Sequence, residues 1–191
     1  RVITNHSSGK MGYALAEAAR DRGADVVLVT APTNLADPAL VKVVQVRTAD
    51  QMGEAIQEHV KNADALVMAA AVADYKPATS ADQKIKKSED YLNIALAKTE
   101  DILKSAKGNF VRVGFAAESE NLVENAKAKV GSKKLDLIAA NDITADGSGF
   151  GSDTNQVTLI DRDLIVEELP LLTKYDVGNR ILDRVKGLFR D

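Results

Sequence analysis

The sequence predicts an α/β domain, a mostly parallel sheet with helices on both faces and a C-terminal β-hairpin. Short apolar runs alternate with segments of helical periodicity along most of the chain. The runs are continuously apolar, as strands covered on both faces are. Two further runs, Gln156–Asp161 and Leu164–Leu169, lie close enough together to pair as a terminal hairpin. At 191 residues the chain fits one domain with a core that needs no covalent staples.

Met11, Ala14, Leu15, Ala18 and Ala19 recur at helical spacing, so residues 11–22 form an amphipathic helix that Gly23 ends. Asp25–Thr30 (DVVLVT) is the strand after it, and Val43–Val46 is a second. Met52, Ile56 and Val60 mark the next helix. Ala65–Val72 (ALVMAAAV) reads as a buried strand. Phe110–Phe115 and Leu135–Ala140 are two more, with a helix over about 119–130 between them. After the hairpin, Leu172–Phe189 is largely helical. The connections 73–93 and 141–155 are long and polar, and each starts at the C-terminal end of a buried strand. Ligands bind at that edge in open α/β sheets, and long loops in compact domains usually carry function.

Composition narrows the chemistry. With 45% hydrophobic and 28% charged residues the chain is globular. No apolar run approaches the roughly 18–20 residues of a membrane span. A net charge of −3 argues against a nucleic-acid or anionic-membrane surface as the main partner. The absence of Cys excludes a thiolate metal site and a cysteine nucleophile, and two His cannot build a metal cage alone. With Arg1 in first place and no signal-peptide pattern, the expectation is a cytoplasmic, N-terminally truncated single domain over residues 1–191.

Candidate chemistry collects at the strand ends. Asn5-His6-Ser7-Ser8-Gly9-Lys10-Met11-Gly12 opens the first helix, where glycines permit close approach and free N–H groups suit an anion. It is not a Walker loop, because Met11 stands where Ser or Thr would hold magnesium. A dinucleotide site wants an acid after the next strand, yet Val29-Thr30-Ala31-Pro32 offers none. No Tyr has a Lys four residues on, which further opposes an NAD(P)-dependent short-chain-type oxidoreductase. Small residues in Ala70–Tyr75 (AAVADY) would let a flat ligand lie against backbone, and equally allow tight helix packing. Lys84-Ile85-Lys86-Lys87, in a loop at the ligand edge, suits a polyphosphate. Lys129, Lys133 and Lys134 form a second basic set, which can equally be favourable charges at a helix end. Gly114–Glu118 (GFAAE), Asn141-Asp142 and Phe150–Asn155 (FGSDTN) complete the series.

Taken in order, these segments closely resemble bacterial phosphopantothenate–cysteine ligase, the CTP-dependent half of a bifunctional coenzyme A biosynthesis flavoprotein. The resemblance covers essentially the whole chain. It implies a Rossmann-like fold, a homodimer, and condensation of 4′-phosphopantothenate with L-cysteine through an acyl-cytidylate, using CTP and Mg2+. It also implies fusion, in the full-length protein, to an FMN-dependent phosphopantothenoylcysteine decarboxylase domain. A glycine-containing strand-end segment is expected ahead of Arg1, so the first strand of the sheet is expected outside this chain.

Carried over motif by motif, the resemblance implies catalytic roles for Asn5, Arg1 and Lys84, the last in forming the acyl-cytidylate. The nucleotide positions fall on Ala70, Asp74, Lys84, Phe115, Lys129 and Lys133. They extend to Glu100, Asp101, Ile102 and Leu103, although the family's usual Asn-Pro before Asp-Ile reads Thr99-Glu100 here. No magnesium ligands can be read from the sequence. A catalytically silent nucleotide-binding domain is the alternative from another class.

Overall fold

Side chains alternate across the central strands between two apolar layers, and that alternation gives the molecule its two helical faces. The computed structural model describes residues 3–79, 83, 93–142, 144, 147 and 151–189. Helix α1 (Lys10–Asp21) leads to strands β1 (Val27–Thr30) and β2 (Lys42–Gln45), then to α2 (Ala49–His59) and β3 (Ala65–Met68). Strands β4 (Tyr75–Pro77) and β5 (Leu96–Lys98) precede the single turn α3 (Ile102–Ser105). There follow β6 (Val111–Glu118), α4 (Leu122–Lys133), β7 (Leu137–Asp142), β8 (Thr154–Asn155), β9 (Val157–Asp161), β10 (Val166–Glu168), β11 (Leu172–Thr173) and α5 (Lys174–Leu188).

The main sheet has the order β10-β9-β7-β6-β3. Strands β3, β6 and β7 pair in parallel, β9 runs antiparallel to β7, and β10 closes the expected hairpin with β9. Val113, Leu137, Ala139, Val157 and Leu159 face Leu15 of α1 and Val177, Ile181 and Val185 of α5. Ala116, Ile138, Ala140 and Ile160 face Ala126 and Val130 of α4. A third cluster gathers Met52 and Ile56 of α2 with Val60, Ile102 and Phe110.

Three details differ from the sequence expectation. The sheet is divided: β1 and β2 form their own parallel pair, not hydrogen-bonded to β3. Both parts pack on the α2 cluster, through Val29 and Val44 on one side and Leu66 and Met68 on the other. Strand β3 stops at Met68 instead of Val72, because Met68 opposite Gly114 is its last pair with β6. The polar connection that opens at residue 73 carries an antiparallel ribbon, with Tyr75 opposite Lys98 and Pro77 opposite Leu96.

Side-chain caps set several helix starts. Thr48 accepts from Gln51 N at 3.2 Å and Thr173 from Asp176 N at 3.1 Å. α1 and α5 approach closely because Gly178 has no side chain; a Cβ there would stand 3.4 Å from the Ala18 methyl. Among the described residues no helix is long and apolar enough to cross a membrane.

Ile181 is fully buried where α5 meets the sheet. Ile181→Ala should lower the unfolding free energy by about 2–5 kcal/mol, read as a lower urea midpoint with an unchanged slope. An unchanged midpoint would show that α5 does not contribute to the core in this way.

Candidate functional site at the C-terminal sheet edge

Parallel pairing brings the C-terminal ends of β3, β6 and β7 to one edge, and α1 begins at that edge. Its start depends on Gly9, which adopts a left-handed backbone with φ +75°. A Cβ at Gly9 would also come within 2.8 Å of the Thr33 methyl. The helix has no close side-chain cap: Ser7 Oγ and Ser8 Oγ accept from Gly9 N and Lys10 N only at 3.4 Å. Its N–H groups and dipole are therefore directed at the strand ends.

A cavity of about 140 Å3 lies there. Ser7–Gly9, Met11 and Gly12 line one side, Ala69–Ala71 and Phe115–Ala117 the next, and Asn141, Asn155 and Lys174 the last. Ala117 and Asn141 are register partners across β6 and β7. The early end of β3 frees Ala69–Ala71 for this role, and their small side chains leave backbone accessible.

Two lysines hold the segment that closes the cavity. Lys10 Nζ meets Asp153 Oδ1 at 2.6 Å and Gly151 O at 3.0 Å. Lys174, only 5% exposed, donates to Ser152 O, Thr154 O and Asn155 Oδ1 at 2.6, 3.1 and 2.9 Å. Burial, and then the neighbouring Lys10 charge, push the Lys174 ammonium below the ordinary lysine value against the opposing pull of Asp153. The hydrogen bond from Lys10 holds Asp153 below the usual carboxylate range.

Ala70 and Phe115 line the cavity. Asn5 reaches the segment that follows β3, where its Nδ2 donates to Val72 O at 3.3 Å. Asp74 is exposed at the start of the ribbon, and its carbonyl accepts from Thr99 N at 2.8 Å. Thr99 Oγ1 is itself buried with no hydrogen-bond partner among the described residues. Glu100 is exposed beside it.

A second group lies along α4. Asp101 caps α3 through Lys104 N at 3.1 Å and pairs with Lys133 at 2.9 Å. Lys129 pairs with Glu118, which also accepts from Asn125 Nδ2 at 3.0 Å. Burial raises the Glu118 carboxyl, but these two partners outweigh it and hold the group below the ordinary glutamate range. For Asp101, likewise, burial is outweighed by Lys133 and the Lys104 amide. Ile102 and Leu103 are buried in two different apolar clusters, so only their backbone can meet a ligand. Arg1, Lys84 with the rest of the KIKK cluster, and Phe150 lie outside the described residues.

Sequence reading missed Lys174. The available signal was a cation in the first turn of a helix, where the dipole disfavours it.

These features define a Rossmann-like α/β domain with a cavity at the C-terminal edge of its parallel strands. The chain belongs to the family of the DNA/pantothenate metabolism flavoprotein C-terminal domain, whose model matches residues 1–188. It is 43% identical to the coenzyme A biosynthesis bifunctional protein CoaBC of Bacillus subtilis (strain 168), over 98% of this chain and 47% of that protein. Identity to the protein of the same name from Escherichia coli (strain K12) is 44%, over 97% of this chain and 47% of the other. The crystal structure of the C-terminal domain of CoaBC superposes with a TM-score of 0.81 at 41% identity, covering 98% of this chain and 86% of that one. The chain thus spans about half the length of the curated relatives it matches.

Because the Glu118 carboxyl is held low, its contribution to stability is complete above the ordinary glutamate value of 4.5. That contribution is lost as pH falls through the lower folded value. Glu118→Gln should be less stable than the parent chain near neutral pH and converge on it in acid, as followed by thermal unfolding across pH. Parallel curves at all pH would show that the pair with Lys129 carries no stability.

Proposed function

We infer that this domain condenses 4′-phosphopantothenate with L-cysteine, using CTP to activate the acid. The observation that carries this reading is spatial. Residues of the segments NHSSGKMG, AAVADY, GFAAE and Asn141-Asp142, far apart in sequence, line one cavity at one sheet edge. Family membership and the relatives' names, coenzyme A biosynthesis bifunctional proteins, support it from a different direction.

The chemistry asks for what this edge offers. A carboxylate is a poor electrophile, so amide formation requires a mixed anhydride. A carboxylate oxygen of phosphopantothenate bonds to the α-phosphorus of CTP, and the bond from that phosphorus to the β-phosphate oxygen breaks to release pyrophosphate. Two anions meet in this step, so fixed positive charge must offset their repulsion. Lys84, Arg1, Lys129 and Lys133 are the cations assigned to it. Lys129 and Lys133 are already steered by Glu118 and Asp101.

In the second step the cysteine nitrogen bonds to the acyl carbon, the acyl carbon–oxygen bond breaks, and CMP leaves. The ammonium proton passes to water or to a phosphate. The Asn5 amide donates to the oxyanion that develops in this step. Backbone groups near Ala70, Phe115 and the 100–103 turn read the cytosine edge.

The acidic residues fit a magnesium ion that arrives on nucleotide phosphates and takes one or two protein carboxylates. Glu118, Asp101 and Asp153 are each paired with a lysine, which makes exposed Asp74 and Glu100 the better-fitting ligands. Magnesium supplies further positive charge to the phosphates when bound. The same reading carries a cytoplasmic homodimer, for which exposed Tyr75, Ile94 and Leu96 around the ribbon offer an apolar surface. It also carries fusion to an FMN-dependent decarboxylase domain.

The chain supplied with phosphopantothenate, cysteine and magnesium should release pyrophosphate from CTP and not from ATP. Absence of release with CTP would refute the reading.

Asn5→Asp keeps the size of the amide, loses its N–H donors and sets negative charge beside the oxyanion. Loss of one such donor typically costs about 10²–10³ in rate. The acyl-cytidylate should therefore accumulate and be seen by mass spectrometry. Near-normal product formation would reduce Asn5 to a local structural role. Failure to form the intermediate would assign Asn5 to the first step.

A further inference from the structure

Lys174 and Asn155 carry chemistry that the reaction scheme leaves unused. Lys174 opens α5, where a cation opposes the helix dipole and where a lysine would ordinarily send its ammonium to solvent. This one turns inward and spends its donors on Ser152 O, Thr154 O and Asn155 Oδ1. An ammonium only donates, so the Asn155 amide must present its oxygen to Lys174 and its Nδ2 to the other side.

Asn155 is 4% exposed, and among the described residues its Nδ2 meets only the Met11 thioether, at 3.7 Å. Sulfur of this kind is a weak acceptor. A buried amide donor so poorly matched gains free energy from a stronger acceptor. Asn155, Met11 and Lys174 all line the strand-edge cavity, and among the described residues that line it there is no Asp or Glu. The start of α1 and the Lys174 charge both favour an anion there.

We propose that Asn155 contacts the ligand through its Nδ2, donating to a phosphate oxygen, and that Lys174 is the positioning residue that fixes the amide in this orientation. The proposal rests on the function inferred above for the source of that oxygen, which is either the CTP triphosphate or the phosphate of phosphopantothenate. It adds two residues outside the set that the resemblance implies.

Asn155→Asp separates this role from a structural one. Aspartate keeps an acceptor for Lys174 and adds an ion pair, so a purely structural role predicts a chain at least as stable with unchanged ligand binding. The proposal predicts equal or higher thermal stability together with weaker binding, because an oxygen now faces the anion. CTP, phosphopantothenate and inorganic pyrophosphate are each titrated calorimetrically into the full chain. Kd should rise about 10- to 100-fold for at least one of them. A rise confined to CTP and pyrophosphate identifies the triphosphate, and a rise confined to phosphopantothenate identifies the acid.

Lys174→Met should raise the same Kd in the parent chain beyond what loss of its charge alone costs, and the part of the rise that passes through the amide should be absent in the Asn155→Asp background. Unchanged Kd values in Asn155→Asp, alongside normal binding by the parent chain, would overturn this proposal alone. A parent chain that binds none of the three probes would overturn the inferred function and this proposal with it.

Discussion

The unequal pairing of β6 with its two neighbours is the constraint on which the site depends. β6 pairs with β3 only as far as Gly114, and with β7 as far as Glu118. The missing length of β3 leaves a notch at the sheet edge, floored by Phe115–Ala117 and walled by Ala69–Ala71. β6 can run close to its surroundings at this point because Gly114 lacks a side chain; a Cβ would meet Leu135 Cδ1 at 2.8 Å. Apolar packing on both faces fixes the strand ends, because a shift of one residue would exchange Leu137 and Ile138 between opposite layers. The cavity is thus a consequence of core register as much as of the residues that line it.

Around this notch, lysines are anchored before any ligand arrives. Lys10 and Lys174 hold the 151–155 segment from two different helices, while Lys129 and Lys133 hold carboxylates at the end of β6 and the start of α3. Fixed dipoles and charges of this kind need little reorganisation when a polyanion binds. The lysines on α4 must exchange a carboxylate for a phosphate if they are to engage a nucleotide directly, which ties ligand affinity to the strength of the Glu118 and Asp101 pairs. Lys174 differs, since Ser152 O, Thr154 O and Asn155 Oδ1 are neutral acceptors.

Much of the fold was legible because its signals are long or strongly periodic. Met11, Ala14, Leu15 and Ala18 placed α1 to within one residue at each end. The apolar runs placed β6, β7 and the terminal hairpin. The end of β3 was not legible, since ALVMAAAV is one apolar run and composition does not say where a ladder stops. Tyr75–Pro77 and Leu96–Lys98 are too short, and the first carries a proline, so neither produces a strand signal. Most of the strand-end segments stood out through glycine and polar punctuation. Lys174 did not, because Ser152, Thr154 and Asn155 become its partners only when α5 folds against the sheet. Likewise, the burial of Ile102 and Leu103 follows from tertiary packing of a four-residue helix that has no periodicity of its own.

The inferred activity requires CTP to seat at the C-terminal edge of the parallel strands, between the start of α1 and the end of β6. A titration of the isotopically labelled chain with CTP, followed amide by amide in NMR spectra, tests it most directly. The largest shifts are expected at Gly9–Gly12, Ala69–Ala71 and Phe115–Ala117, with the opposite edge, around Val27, Lys42 and Ala65, unaffected. Shifts concentrated at that opposite edge, or on the outer strand β10, would contradict it.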